Sequence, residues 1–385
     1  MQNPLQLYIH IPFCVRKCGY CDFLSFPADD VARETYVCAL IREIRAAGAV
    51  YGARPVTSVY IGGGTPTLLS SGQIKRLGTG LAESFKCRAE DIEFSAECNP
   101  KTADEEKLRA LRGIGVNRLS IGLQSMNNKE LKALGRIHTA GDFLKTYELA
   151  RAAGFDNINI DLMQAVPYQT LPGWKRTLNA VLKLRPEHIS AYSLIIEEGT
   201  PFYEAKENMR LPGLPSEDEE REIYYATKNI LEADGYRRYE ISNYSLPGFE
   251  CRHNTGYWRR HEYLGLGLGA SSLIAGTRWR NTPDMKDYLN ILKNEAEPFA
   301  ALRTDAEKLT SEAEMEEFMF LGLRLTDGIS KREFSETFGC SFESVYAAAA
   351  ASLSDKGLLA CAGGRIFLTG RGIDVSNVAL SEFLF

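Results

Sequence analysis

The sequence predicts an α/β fold with a parallel sheet, open or curled into part of a barrel, and a small helical C-terminal domain. Strand-like and helix-like segments alternate six times before about residue 195, and the chain becomes helical again from about Arg303. Six consecutive βα units imply parallel strands joined by right-handed crossovers. Functional side chains are then expected at the C-terminal ends of the strands.

The six predicted strands are short, largely apolar runs that cover residues 5–10, 58–61, 92–96, 118–122, 157–161 and 188–192. Helices are predicted between them. The clearest covers residues 139–153, where apolar side chains repeat every three to four residues and Gly154 supplies a left-handed cap. A second covers residues 30–47 and is predicted to end at Gly48.

The pattern changes after Pro201 to a charged helix over residues 216–233 and then a Gly-rich, aromatic stretch over residues 236–276. Predicted helices at 312–325 and 342–353, followed by strands at 358–361 and 365–368, resemble a winged-helix domain. Three units are therefore expected, at residues 1–200, 201–300 and 301–385. The first helix of the last unit is acidic, which argues against DNA binding.

The composition is that of a globular protein, since 44% of the 385 residues are hydrophobic and 25% are charged. A net charge of -5 argues against nucleic acid as a partner. No apolar run long enough for a transmembrane segment occurs, and the N-terminus lacks the features of a signal peptide. These features predict a soluble cytoplasmic protein.

Nine cysteines without an export signal are interpreted as thiols or ligands and not as a disulfide framework. Five of them are scattered and are expected to be small buried side chains, namely Cys38, Cys87, Cys98, Cys340 and Cys361.

Three further cysteines, Cys14, Cys18 and Cys21, form a C-x3-C-x2-C cluster directly after the first predicted strand. Thiolates at this spacing suit zinc or an iron-sulfur cluster. A structural zinc site needs four protein ligands, and the nearest additional ones, His10 and Asp22, make a poor tetrahedral set. Three thiolates leave one iron of a 4Fe-4S cluster open for an exchangeable ligand, so the cluster is favoured over zinc.

Polar groups end several of the other predicted strands. A glycine-rich turn with Gly63, Gly64 and Thr65 follows the second strand, and its glycines let a ligand approach the backbone. The remaining groups on this rim are Glu97, Gln124, Arg136 and Asp161. Any one of them could cap the next helix, but several on one edge of one sheet indicate a binding site.

The segment HIPFCVRKCGYCDF around the cysteines resembles the radical S-adenosylmethionine (SAM) superfamily. The resemblance implies a partial (βα)6 TIM-type barrel in which Cys14, Cys18 and Cys21 hold a 4Fe-4S cluster and SAM binds the open iron. It also implies that one electron from the cluster can cleave SAM. A reductant for the cluster is then a required partner.

Longer segments resemble the group that contains the oxygen-independent coproporphyrinogen III oxidases and the haem chaperones of the HemW type. They are RLSIGLQS (118–125), INIDLMQAVPYQT (158–170) and ISAYSLIIEEGTPF (189–202). This resemblance implies that Tyr8 and Tyr20 flank the cluster and SAM. It also implies SAM contacts from the rim residues Gly63, Gly64, Thr65, Glu97, Gln124, Arg136 and Asp161. Ala165 departs from the group, which usually has Gly there.

Two features separate the members of this group. The oxidases typically carry a fourth cysteine two residues after the third, where this chain has Phe23, and a longer segment before Tyr8. Residues 251–258, CRHNTGYW, instead resemble the HNxxYW signature of the haem chaperones, which implies haem as cargo. His253 is then expected to ligate haem iron, with Cys251 as a second candidate.

Two functions remain open at this point. One is a haem chaperone that delivers haem to an acceptor protein. Peripheral contact with respiratory proteins and formation of a homodimer are both left open. The other is a radical enzyme acting on a porphyrin, such as the oxidative decarboxylase. The sequence does not indicate which residues would be catalytic.

Overall fold

A computed structural model describes residues 4–86 and 92–385 of the chain, so Cys87 lies outside the described residues. The main sheet has twelve strands in the order β12-β11-β10-β9-β1-β2-β3-β4-β5-β6-β8-β7. Its strands, numbered along the chain, are β1 (Leu5–Ile11), β2 (Val56–Gly63), β3 (Glu93–Cys98), β4 (Arg118–Gln124), β5 (Ile158–Gln164), β6 (His188–Ser193), β7 (Arg237–Arg238), β8 (Asn243–Ser245), β9 (Tyr263–Leu266), β10 (Ser271–Ile274), β11 (Thr277–Asn281) and β12 (Arg303–Lys308).

The six predicted strands are confirmed as β1 to β6, and they pair in parallel with one another. Each continues beyond its predicted last residue. The apolar pattern stops at the first polar or glycine residue, whereas the hydrogen-bonded backbone continues through residues such as Gly63 and Gln124. The α/β fold class is therefore confirmed.

Helices connect the parallel strands and cover the sheet. They are α1 (Asp30–Tyr51), α2 (Ser71–Ser84), α3 (Glu105–Gly113), α4 (Asn128–Ala133), α5 (Ala140–Ala152), α6 (Leu171–Leu182), α7 (Pro201–Glu207), α8 (Glu217–Ala233), α9 (Arg252–Trp258), α10 (Met285–Asn294) and α11 (Pro298–Ala301), with a short 3-10 turn at Pro66–Leu68. The prediction that α1 ends at Gly48 is wrong. A Cβ at Gly48 would lie 2.6 Å from Ser84 Cβ, so this glycine permits close packing against α2 and caps nothing.

Six strands were missed by the sequence pattern, and they extend the sheet at both edges. On one side β9 pairs in parallel with β1, placing Leu264 opposite Leu7. On the other side β8 pairs antiparallel with β6, placing Tyr244 opposite Ile189. These strands are only two to six residues long, so they show too few alternating residues to be recognised.

The loops at the C-terminal ends of the strands converge. Phe202, which follows β6, donates its backbone N–H to the Gly19 carbonyl in the loop after β1 at 2.9 Å. Arg136, which follows β4, contacts Cys18 in the same loop. Loops that originate at both ends of the six-strand series therefore meet above one face of the sheet, as in a barrel.

The C-terminal part has its own hydrophobic core around Met319, Phe334, Phe342 and Ile366. Its elements follow one another as α12 (Ser311–Gly322), β13 (Ile329–Ser330), α13 (Lys331–Phe338), α14 (Phe342–Asp355), β14 (Leu359–Ala362), β15 (Arg365–Leu368), α15 (Gly370–Asp374) and α16 (Ser376–Ser381). The predicted helices and hairpin are present, together with three further helices, α13, α15 and α16, and the strand β13, which pairs with β15. The division of the chain at residues 200 and 300 stays a prediction.

The scattered cysteines do not behave alike. Cys98 is buried as expected and Cys340 is half-buried, but Cys38 and Cys361 are exposed, so the expectation of burial is wrong for these last two. Cys38 lies on the solvent side of α1, where its thiol donates to Glu34. Within residues 4–86 and 92–385, no helix is both long and apolar enough to cross a membrane.

Candidate functional site

The three clustered cysteines lie on the loop between β1 and α1. The Cys14 N–H donates to the Phe26 carbonyl at 3.1 Å, and the Phe26 N–H donates to the Pro12 carbonyl at 2.9 Å. The Cys21 N–H donates to the Cys18 carbonyl at 3.2 Å. The loop is thus closed by its own backbone, and all three thiols are half-buried and free.

This donor set fits a cluster with three protein ligands. Among the described residues, no three His, Cys, Asp or Glu side chains converge closely enough to hold one metal ion. Three thiolates that each bind a different iron need no such convergence. Neighbouring groups suit anionic sulfur, since the Thr65 hydroxyl lies 3.5 Å from Cys14 Sγ and Arg136 Nη1 lies 3.7 Å from Cys18 Sγ.

The glycines after β2 allow backbones to approach closely. A Cβ at Gly64 would lie 2.6 Å from the Phe13 carbonyl oxygen and 2.9 Å from that of Ile11. Gly63 has a φ of 111°, and a Cβ there would lie 2.4 Å from His10 Cε1. Side chains are therefore excluded at both positions by the protein itself, and the turn is held against the beginning of the cysteine loop.

Glu97 ends β3 beside this turn. Its Oε2 accepts from the Gly63 N–H at 3.0 Å, and its Oε1 accepts from the Tyr60 hydroxyl at 3.1 Å. Burial, followed by the charge of nearby Asp161, raises the pKa of Glu97 to about 7. A ligand with an ammonium group would favour the ionised carboxylate, because it supplies the missing positive charge.

Asp161 and Gln124 lie on the adjacent strands. Asn159 Nδ2 donates to Asp161 at 2.7 Å and the Ser120 hydroxyl donates to it at 3.1 Å, while burial raises its pKa. The Tyr192 hydroxyl donates to Gln124 Oε1 at 3.0 Å. Hydrogen bonds from within β5 and from β4 fix the orientation of Asp161, and one from β6 fixes that of Gln124.

Arg136 links the end of β4 to the cysteine loop. Its Nη2 donates to the Gly122 carbonyl at 2.9 Å, and its buried Nε has no hydrogen-bond partner within the described chain. A buried guanidinium N–H without an acceptor is costly, by about 1–3 kcal/mol. This group is therefore available for an anionic ligand. Tyr20 packs nearby, with its ring centroid 6.2 Å from that of Phe202.

The structure thus brings the predicted rim residues together around the cysteine loop, and each makes one of the hydrogen bonds or close contacts described above. Their roles in binding a cluster and SAM stay predictions. Three further residues at this site were missed by the sequence reasoning, namely His10, Tyr60 and Tyr192. Their signal was weak but present, because each lies on a strand at a position whose side chain shares a face with the predicted residues.

His10 connects Tyr8 to the cysteine loop. Its Nε2 lies 2.9 Å from the Leu24 carbonyl, which can only accept, so Nε2 carries the proton. Nδ1 then accepts from the Tyr8 hydroxyl at 2.9 Å. Burial lowers the pKa of His10, which keeps the ring neutral and preserves this arrangement.

Ala165, where related proteins usually have Gly, lies directly after β5 with a φ of 56°. This left-handed conformation is costly for a residue with a Cβ, by about 1–2 kcal/mol. The backbone geometry explains the usual glycine, and the alanine is accommodated in the interior.

The structure does not support the prediction that His253 and Cys251 are haem ligands. His253 is 1% exposed, and both ring nitrogens are engaged: Nδ1 lies 2.8 Å from Ser58 Oγ, and Nε2 lies 3.0 Å from the Tyr257 hydroxyl. Burial, followed by the charge of Arg118, lowers the pKa of His253 to about 3. The imidazole is neutral and offers no free nitrogen to iron.

Cys251 is equally enclosed. It is fully buried, and its thiol donates to Glu93 Oε1 at 3.3 Å. The same carboxylate accepts from the backbone N–H groups of Arg252 and His253 at 2.8 and 3.0 Å, which satisfies the N-terminus of α9. The motif had suggested ligands next to flat aromatic faces, but a motif carries no information about burial.

Comparison with known proteins places this geometry in context. The model of the radical SAM superfamily matches residues 8–181, and that of the HemN C-terminal domain matches residues 309–375. The chain is 38% identical to the heme chaperone HemW of Bacillus subtilis over 98% of both chains. It is also 38% identical to HemW of Lactococcus lactis, over 100% of this chain and 98% of that protein.

Among solved structures, the coproporphyrinogen III oxidase HemN of Escherichia coli is similar, with a TM-score of 0.86 and 25% identity. The superposition covers 99% of this chain and 90% of the oxidase. The fold is therefore shared along essentially the whole chain, and the C-terminal domain is part of that similarity.

Proposed function

The chain belongs to the HemW family of radical SAM proteins, and on that premise we propose that it binds haem and delivers it to an acceptor protein. The observation that carries the proposal is full-length similarity to relatives that bear the name of heme chaperones. A haem-accepting protein and a reductant for the cluster are the partners that this function requires.

Membership of the radical SAM superfamily implies a 4Fe-4S cluster and SAM. We assign the cluster to Cys14, Cys18 and Cys21, because they are the half-buried free thiols on one closed loop. When bound, the cluster supplies an iron with an open coordination position and one electron.

We place SAM on the rim above the strand ends. Support comes from the Arg136 Nε that lacks an acceptor and from the buried Glu97 carboxylate beside the Gly63 backbone. These side chains bind and orient the ligand and keep water from it. SAM contacts are assigned to Tyr8, Tyr20, Gly63, Gly64, Thr65, Glu97, Gln124, Arg136 and Asp161.

A radical decarboxylase that acts on coproporphyrinogen is the second candidate, favoured by the similarity to the solved oxidase. Against it stands Phe23, whose side chain is 60% exposed at the position where the oxidases carry a fourth cysteine. A phenyl ring supplies no thiol there, so the haem-carrier function is preferred.

A direct experiment distinguishes the two functions. Anaerobically reconstituted protein should bind haem with a stoichiometry near one and should transfer it to an apo-haemoprotein. With coproporphyrinogen III, SAM and a reductant it should form no decarboxylated porphyrin, while a coproporphyrinogen oxidase in the same assay provides the positive control. Decarboxylation without haem binding would establish the enzyme instead.

A further inference from the structure

His188 is the first residue of β6, and its ring makes hydrogen bonds on both sides. The side chain is fully buried. Its Nδ1 lies 2.6 Å from Asn159 Oδ1 on β5, and its Nε2 lies 2.8 Å from the hydroxyl of Tyr239, which lies between β7 and β8. The register of the parallel strands places Asn159 directly opposite His188. The imidazole therefore connects β5 to the turn between β7 and β8.

The amide of Asn159 leads from this imidazole to the rim assigned to SAM. Its Nδ2 donates to Asp161 Oδ1 and to the Ser120 hydroxyl, each at 2.7 Å. Both amide protons are thereby used, so the amide oxygen is the atom that faces His188. Since side chains two residues apart point to the same face of a strand, Asn159 and Asp161 share one face of β5.

These hydrogen bonds determine which nitrogen of His188 carries the proton. The Asn159 oxygen can only accept, so Nδ1 carries the proton and Nε2 accepts from the Tyr239 hydroxyl. Burial, followed by the charge of Arg118, lowers the pKa of His188 and keeps the ring neutral. Tyr239, His188, Asn159 and Asp161 thus form a directional series, in which each side chain donates a hydrogen bond to the next.

Asp161 depends on this series because it is a buried carboxylate near a second one. Burial raises the pKa of Asp161, whereas the hydrogen bond from Asn159 lowers it, and the charge of Asp161 raises the pKa of Glu97. If the Asn159 amide turned over, its oxygen would face the Asp161 carboxylate, and two acceptors would oppose each other. The N–H of His188 favours the orientation that avoids this conflict.

Ser190 also donates to the Asn159 oxygen, at the longer distance of 3.2 Å. A serine hydroxyl can rotate and can accept as well as donate, so it does not fix the orientation of an amide. The His188 Nδ1–H has one direction, which the ring and its bond to Tyr239 determine. His188 is therefore the residue that decides how the Asn159 amide is oriented.

We propose that His188 is a positioning residue for SAM: its Nδ1–H fixes the Asn159 amide, which directs the Asp161 carboxylate toward the ligand. The inference rests on the SAM placement proposed above and extends it to a residue that acts through two others. It also gives the two ring nitrogens different roles, because Nδ1 acts on the rim and Nε2 only holds the ring.

Two substitutions separate the two nitrogens. Asparagine can place its amide N–H near the position of Nδ1, whereas glutamine places its amide near Nε2 and leaves Asn159 without this donor. In calorimetric SAM titrations of the cluster-reconstituted protein, His188→Asn should bind within about twofold of the parent and His188→Gln about five- to tenfold more weakly. Both variants should keep the parental iron content and lower the urea midpoint, since each loses one buried hydrogen bond.

Asn159→Ala tests whether His188 acts through Asn159. It should weaken SAM binding at least as much as His188→Gln, and the double variant should show no further loss, because both changes interrupt the same series. Tyr239→Phe is the matched control for disturbed packing. It removes the bond to Nε2, so it should lower the urea midpoint and leave the SAM affinity within about twofold of the parent.

Parental affinity in His188→Gln, or equal losses in His188→Asn, His188→Gln and Tyr239→Phe, would refute the positioning role and leave the SAM site intact. An additive loss in the double variant would show that His188 acts independently of Asn159, which would also refute it. If His188→Gln does not fold, Asn159→Ala decides, because parental SAM affinity there breaks the series. A parent protein that holds its iron but binds no SAM would overturn the proposed SAM site itself, and this inference with it.

Discussion

Replacing His253 by alanine tests the structural role of the HNxxYW-like segment. The side chain makes two hydrogen bonds, to Ser58 and Tyr257, and stacks on Tyr60 with a centroid separation of 5.1 Å. All of these contacts are internal. The substitution should therefore act on folding and on the packing of Tyr60, and not on the iron of bound haem.

The expected loss is large. Truncating a buried ring to alanine costs about 3–5 kcal/mol through lost contacts and the cavity left behind, judged from phenylalanine and tryptophan substitutions. The Tyr257 hydroxyl would lose its partner inside the protein, which adds about 1–3 kcal/mol. A total of about 4–8 kcal/mol is a substantial part of the stability of an ordinary domain, which is about 5–15 kcal/mol.

Urea denaturation of the holoprotein, followed by circular dichroism, measures this loss as a lower midpoint. His261→Ala provides the comparison at an exposed histidine and should change the free energy of unfolding by less than about 0.5 kcal/mol. A His253→Ala protein with parental stability and an altered haem spectrum would show that the imidazole faces haem, which would refute the assignment of a buried structural role.

Four other changes test separate parts of the structure. The parent protein should contain roughly four irons per chain, and replacing Cys14, Cys18 or Cys21 by alanine should remove them. Unchanged iron in all three variants, or zinc in place of iron, would contradict the cluster. Gly64→Val should lower both the iron content and the SAM affinity measured by calorimetry, because its side chain would displace the Phe13 carbonyl next to Cys14, and parental values of both would contradict the close packing of this turn against the cysteine loop. Burial raises the pKa of Glu43 in the folded protein to about 7, above the value of about 4.5 expected in the unfolded chain. The protonated carboxyl therefore stabilises the fold fully below about pH 4.5, and this stabilisation is lost as the pH rises through 7. Glu43→Gln should therefore remove about 3 kcal/mol from the pH dependence of the free energy of unfolding. Urea midpoints at pH 5 and pH 8 measure it, and an unchanged dependence would show that Glu43 is ionised throughout. Ala165→Gly should raise the free energy of unfolding by about 1 kcal/mol by relieving its left-handed backbone, whereas a lower midpoint would show that the methyl group contributes packing that outweighs the strain.

The sequence revealed the six parallel strands because each is a largely apolar run of six to eight residues that alternates with a helix. It did not reveal β7 to β12, which are two to six residues long and take their stability from the edges they extend. The helix boundary at Gly48 was wrong for a related reason. A glycine that ends a helix and one that permits close helix packing look alike until the neighbouring helix is known.

The rim residues could be predicted because parallel strands bring their C-terminal ends to one edge. Their supporting residues could not, because Tyr60 and Tyr192 resemble ordinary core aromatics in a strand. The burial of the predicted haem ligand could not be foreseen for a third reason. The motif around His253 identifies relatives, but whether an imidazole is free depends on partners such as Ser58, which lies 195 positions away in the chain.

The buried His253 gives its segment a different role. Tyr60 stacks between Tyr8 and His253, at 6.3 and 5.1 Å, and donates its hydroxyl to Glu97. The segment therefore supports the rim assigned to SAM. Removing the His253 ring would free one face of Tyr60 and loosen the hydrogen bond that holds Glu97, so substitutions in this segment should act first on the rim assigned to SAM.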